Sequence, residues 1–123
     1  MPYTVLIVED DTNQRALYAE ELAEEGYDII SAADGREALR IVDVQRPHLI
    51  VLDINMPGLD GLETLNHLLE RAQGVPVIIN SAYASYKESF TSWSADAYIV
   101  KSSDLTELKD TVRRLLEETM AKQ

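Results

Sequence analysis

The sequence predicts an α/β domain: a five-stranded parallel sheet, doubly wound as (βα)5, with helices on both faces. Three observations predict it. Short apolar runs and helical stripes alternate about five times along 123 residues. The apolar runs are continuous and rich in β-branched residues, which is the pattern of strands buried on both faces. The connections are a few residues long, so each strand returns to the same sheet through its helix by a right-handed crossover. The length suits a single domain, 1–123, and no stretch reads as an internal linker or an output domain.

Each element follows from its residues. Tyr3–Val8 is the first strand and runs into Glu9 and Asp10. Thr12–Glu25 is a helix whose expected inner stripe is Ala16, Leu17, Ala19, Leu22 and Ala23, and Gly26 stops it. Tyr27–Ala32 is a weaker strand. Asp34 and Glu37 are spaced as a capping box, opening a helix with Ala38, Leu39 and Val42 that ends before Pro47. His48–Leu52 is the third strand and runs into Asp53. A turn-rich loop, 55–61, precedes a third helix with Leu62, Leu65, Leu68 and Leu69, closed by Gly74. Val75–Ile79 is the fourth strand, followed by Asn80 and Ser81. Residues 84–94, rich in Ser and Thr, form a short fourth helix. Asp96–Val100 is the fifth strand and meets Lys101. Asp104 and Glu107 are spaced as a second capping box, before a fifth helix with Leu105, Leu108, Val112, Leu115 and Leu116.

Composition removes several function classes. There is no cysteine, which excludes disulfide scaffolds, thiolate metal sites and cysteine nucleophiles, and two histidines, His48 and His67, do not make a multi-histidine zinc site. Lys and Arg number 11 against 22 Asp and Glu, a net charge of -11. Nucleic acid and anionic membrane both need a basic surface, so neither is an expected direct partner. No run approaches the roughly 20 apolar residues of a membrane span. The first apolar run lacks a basic region before it and ends in acids, so it reads as a strand and not a signal peptide.

The polar residues that carry chemistry stand at strand ends. In an open parallel sheet the ligand site lies at the carboxyl ends of the strands. Glu9, Asp10, Asp53, Asn80, Ser81 and Lys101 all fall there if the sheet is as read. Taken singly, each has a plain explanation: Asp10 or Asp11 would cap a helix, Ser81 would be a loop hydroxyl, and Lys101 a solvated end. Together, three carboxylates at one mouth repel one another unless a cation joins them. Oxygen ligands without thiolates select a hard ion, Mg²⁺ or Mn²⁺, which leaves a coordination position for a phosphoryl oxygen. Lys101 and Ser81 would hold the other phosphoryl oxygens, and a carboxylate would be the nucleophile, since aspartate forms an acyl phosphate.

These residues resemble a response-regulator receiver domain, the phospho-accepting module of two-component signalling, over essentially the whole chain. Residues 5–11, Val-Leu-Ile-Val-Glu-Asp-Asp, resemble the first strand and acidic pair. Residues 52–61, Leu-Asp-Ile-Asn-Met-Pro-Gly-Leu-Asp-Gly, resemble the phosphorylation-site loop. Ile79-Asn80-Ser81-Ala82 resembles the switch hydroxyl with its small neighbour, and Ala97-Tyr98-Ile99-Val100-Lys101 the switch aromatic and the lysine. The resemblance implies the flavodoxin-like strand order 2-1-3-4-5. It makes Asp53 the phosphoryl acceptor, Asp10 a direct Mg²⁺ ligand, Glu9 a ligand acting mainly through water, and the Asn55 backbone carbonyl a further ligand. Ser81 and Lys101 would grip the phosphoryl group. Tyr98 would follow Ser81 inward and carry the change to the surface of the fourth helix, fifth strand and fifth helix. The implied partners are a histidine kinase or phosphotransfer protein, a downstream protein or output domain, and a second copy in a phosphorylation-dependent homodimer. The implied location is cytoplasmic, and the module accepts phosphate rather than acting as an enzyme on another substrate.

Two residues depart from the family pattern. Lys101 is followed by Ser102 where a proline is usual, and Glu9 is one methylene longer than the usual aspartate, which would move its carboxylate outward. Two other readings share the residues. One is a degenerate receiver that binds partners without phosphorylation, against which the set Asp10, Asp53, Ser81 and Lys101 speaks. The other is an aspartate-nucleophile phosphatase using the spacing of Glu9 and Asp11; glutamate suits that nucleophile poorly, and no cap domain is evident. A nucleotide-binding module is weaker still, because no Gly-rich phosphate loop follows any strand.

Overall fold

A computed structural model describes residues 2–54, 61–83 and 93–122. Its elements run β1 (Thr4–Val8), α1 (Thr12–Glu24), β2 (Asp28–Ala32), α2 (Gly35–Val44), β3 (Leu49–Leu52), α3 (Gly61–Arg71), β4 (Val77–Ser81), β5 (Ala97–Val100) and α4 (Thr106–Ala121). The expected helix over 84–94 lies outside the described residues up to 92. The last helix, the fifth of the sequence reading, is therefore α4 here.

The five strands form one sheet in the order β2-β1-β3-β4-β5, and every neighbouring pair is parallel. Side chains alternate across the strands, so each strand feeds two cores. Leu6, Val8, Ile50, Leu52 and Ile79 point to the face covered by α2 and α3, where Ala38, Leu39, Val42, Leu65 and Leu68 meet them. Val5, Ile7, Leu49, Val51 and Ile78 point to the face of α1 and α4, with Tyr18, Leu22, Leu108, Val112 and Leu116. This double burial is why the strand sequences lack polar alternation.

Helix ends follow mostly local chemistry. Asp11 caps α1 and Asp34 caps α2, each side chain accepting from a backbone N–H three residues on. Glu37 reaches back as expected, but to the Ala33 N–H at 3.2 Å. The second capping box does not form. Asp104 accepts from the Thr106 N–H at 2.9 Å, an Asx turn that starts α4 one residue late for Glu107 to reach back. Hydrogen bonds from the Thr106 side chain and N–H also hold the Asp104 carboxyl below its usual range. Gly26 and Gly74 adopt φ of +98° and +85°, the left-handed conformation that ends the helical segments before them.

The inner face of α1 differs from expectation. Tyr18 and Leu22 are its buried residues, while Ala16, Leu17 and Ala23 are exposed. Alanine favours helix but carries little information about which face packs. The large ring of Tyr18 sets the phase, and Glu21 is drawn to the α4 side by Lys109 at 2.8 Å.

Candidate functional site

The sheet ladder continues past the strand ends and fixes the site residues in space. The Glu9 N–H donates to Ala32 O at 3.0 Å, the Asp53 N–H to Val8 O at 3.0 Å, and the Lys101 N–H to Ser81 O at 2.7 Å. Glu9, Asp53 and Lys101 are thus held as extensions of β1, β3 and β5 at one edge of the sheet. Carboxylate oxygens of Glu9, Asp10 and Asp53 lie within 4.8 Å of one another.

Lys101 joins two of these acids. Its Nζ donates to Glu9 Oε1 at 2.7 Å and to Asp53 Oδ2 at 3.0 Å. Glu9 and Asp53 are 2% and 4% exposed, so both carboxylates lie in a low-dielectric setting where the ammonium acts strongly. Burial pushes the Lys101 pKa down, but the hydrogen bonds and charges of Glu9 and Asp53 exceed it and hold the ammonium above its ordinary range. Burial raises the Glu9 pKa, and the bonds from Lys101 and the Asp11 N–H offset that only in part. The two directions are compatible, because one ammonium is shared between two carboxylates.

The expected outward placement of Glu9 is not observed. Its extra methylene carries the carboxylate inward to Lys101, and its second oxygen accepts from the Asp11 N–H at 3.1 Å. The ambiguity between Asp10 and Asp11 is resolved by the N-cap. Asp11 is used there, accepting from Gln14 N–H at 2.9 Å, which leaves the exposed Asp10 carboxylate facing the cluster. The peptide after Lys101 is trans, since no cis bond occurs among the described residues, and the lysine still reaches Asp53.

Ser81 is fully buried at the end of β4, and its Oγ accepts from the Tyr83 N–H at 3.1 Å. Tyr98 lies two residues before the end of β5 with its ring buried, and its hydroxyl donates to the Tyr83 carbonyl. The Trp93 ring stands 6.5 Å from that of Tyr98. Ser81 and Tyr98 are therefore linked through one residue, Tyr83. Asn55, the expected carbonyl ligand, lies outside the described residues.

Two neighbours escape the sequence reading. Tyr18 of α1 is buried beside the site, its hydroxyl bonded to Asn80 and its pKa raised by burial. Arg15 Nη1 donates to the Glu9 carbonyl at 2.8 Å and, more distantly, to that of Asp10 at 3.4 Å. The signal for Arg15 was present: a cation in the first turn of a helix that has no acid there opposes the helix dipole.

All donors of the cluster are hard oxygens, and of its three carboxylates Lys101 pairs with two, Glu9 and Asp53, leaving Asp10 to a further cation. The site therefore fits a divalent cation by both ligand type and charge.

Fold and site together define an open parallel α/β module with an acidic, divalent-cation-type cluster at the carboxyl edge of its sheet. The chain matches the response regulator receiver domain over residues 5–113 and belongs to that family. It is 35% identical over 114 residues to sporulation initiation phosphotransferase F of Bacillus subtilis, covering 91% of this chain and 92% of that protein. It is 37% identical to the response regulator MprA of Mycolicibacterium vanbaalenii over 97% of this chain and 52% of that protein. The chain thus spans about half the length of several curated relatives it matches. Among solved structures, it superposes with TM-score 0.86 and 41% identity on the Thermotoga maritima response regulator TrrA in complex with Mg²⁺-BeF, covering 94% and 99% of the two chains. A chain from the complex of the histidine kinase ThkA with TrrA matches with TM-score 0.85, 41% identity and the same coverage.

Proposed function

We propose that the chain takes a phosphoryl group onto Asp53 from a phosphohistidine of a histidine kinase or phosphotransfer protein, with Mg²⁺ as the cation. The observation that carries this reading is the pair of buried carboxylates, Glu9 and Asp53, bridged by Lys101 beside the exposed Asp10. The Mg²⁺-BeF bound to TrrA and its kinase complex support it by similarity.

In this reading an Asp53 carboxylate oxygen attacks phosphorus, an O–P bond forms, and the donor's P–N bond breaks, leaving the imidazole with the electron pair. A bound Mg²⁺ supplies positive charge to the phosphoryl oxygens. Lys101 moves from neutralising Asp53 to pairing with a phosphoryl oxygen, so its charge is already at the site when negative charge arrives. Ser81 offers its O–H as a donor while its Oγ accepts from the Tyr83 N–H, so a shift of Ser81 is passed to Tyr83. Tyr98, bonded to the Tyr83 carbonyl, is then the route from the phosphoryl group to β5 and the face beside it. The chain consumes one phosphoryl group per acceptance and acts as a carrier rather than as an enzyme on another substrate. Its downstream partner is a protein or an output domain, and its location is cytoplasmic.

The test is intact-mass analysis after incubation with acetyl phosphate and Mg²⁺. The parent should gain one phosphoryl mass, Asp53→Asn should gain none, and EDTA should suppress the gain. An equal gain in Asp53→Asn would refute the acceptor assignment.

A further inference from the structure

Arg15 breaks a local rule. It stands in the first turn of α1, where the helix dipole disfavours a cation, and the acid at that end, the Asp11 cap, is bonded to the Gln14 N–H. Such conflicts between local preference and structure mark places where another requirement has been met. Here the guanidinium turns back across the Asp11 cap to the end of β1 and donates to the carbonyls of Glu9 and Asp10. Those two carbonyls belong to the peptides on either side of Asp10. Among the described residues nothing else holds Asp10 from its side chain: its carboxylate is exposed and makes no hydrogen bond or ion pair. Glu9 and Asp53, in contrast, are anchored by Lys101. The direction of the Asp10 carboxylate therefore depends on its backbone.

We infer that Arg15 is a positioning residue for the cation site, holding the Glu9–Asp10–Asp11 backbone so that the Asp10 carboxylate faces Glu9 and Asp53. This rests on the reading of the cluster as a divalent-cation site. Two effects of Arg15 oppose each other. Its charge, near the cluster, repels a metal ion; its hydrogen bonds pre-organise a ligand. The sign of the net effect decides between them.

The experiment is a Mg²⁺ titration followed by NMR shifts and by fluorescence of Trp93, the single tryptophan, on the parent, Arg15→Ala and Arg15→Met. Positioning predicts that both variants bind Mg²⁺ about tenfold more weakly, as for one hydrogen bond of ordinary net strength. Removing a cation by charge alone would tighten binding, so unchanged or tighter binding in Arg15→Ala overturns the inference. Parent affinity in Arg15→Met would assign the effect to the side-chain stem and also overturn it. In metal-free protein, amide exchange at Asp10 and Asp11 should quicken in both variants while Val112 in α4 stays protected. Unchanged exchange at Asp10 and Asp11 refutes the hold by itself. A parent that binds no Mg²⁺ would instead refute the cation site, with the exchange result still reporting on Arg15.

Discussion

Replacing Lys101 with methionine isolates what the shared ammonium does. Methionine keeps the unbranched stem and removes the charge, so packing changes little while two acids lose a partner. Glu9 and Asp53 side chains are 2% and 5% exposed, and that of Lys101 is 15% exposed, so the group is largely desolvated. Removing one member of a buried ion pair costs about 3–5 kcal/mol, because the charge left behind has lost its water and its counter-ion. Lys101 is partly wetted, and the stranded carboxylates can protonate, so the low end, about 3 kcal/mol, is expected without metal. A divalent ion replaces the missing charge and stabilises the state that binds it. The deficit should therefore narrow when Mg²⁺ is added, and Mg²⁺ should bind Lys101→Met more tightly than the parent. The assay is urea denaturation of both proteins in EDTA and in saturating Mg²⁺. A loss below about 1 kcal/mol in EDTA would place the pair in the class of exposed salt bridges. A deficit unchanged by Mg²⁺ would show that the metal does not take over the role of the ammonium. Either result refutes the reasoning. A cycle with Asp53→Asn adds a check: neutralising one stranded acid should make the double variant's loss smaller than the sum of the single losses.

Other perturbations have separate outcomes. Asp10→Ala should weaken Mg²⁺ binding about tenfold or more while leaving urea stability in EDTA near the parent, since this exposed carboxylate makes no hydrogen bond or ion pair among the described residues; isothermal titration and denaturation check the two halves. Gly61→Ala should destabilise strongly, by about 3 kcal/mol or more, because its new Cβ would overlap the Ile54 backbone at the start of α3; wild-type urea stability would contradict that close approach. The Asp104 carboxyl is held below its ordinary pKa, so its contribution to the start of α4 is present above the unfolded value and lost as pH falls through the folded one. The Thr106 amide shift in an acid titration should report a midpoint below that of an ordinary aspartate, and an ordinary midpoint would remove the assigned bond.

The sequence by itself determined the strands, most helix boundaries and the edge of the sheet that bears the chemistry. These depend on local physics: backbone pleat and pitch impose periodicity, and residues such as Asp34 or Gly26 act on their immediate neighbours. The strand order became legible through the family resemblance, and the structure has it as β2-β1-β3-β4-β5. Other features needed the fold. Asp10 and Asp11 have equal claims to a cap in the sequence, and the geometry of α1 against β1 assigned the cap to Asp11. The phase of α1 depended on what its ring and acids meet across the layer, which explains why Leu22 and Ala19 of the expected stripe face the core while Ala16, Leu17 and Ala23 do not. Glu9 turned inward because Lys101, 92 residues away, arrives at the same edge. Arg15 reached the end of β1 because the cap folds its helix back over that edge. Such contacts join residues whose separation along the chain carries no periodic signal, and only the stacking of parallel strands brings their ends within a few ångströms.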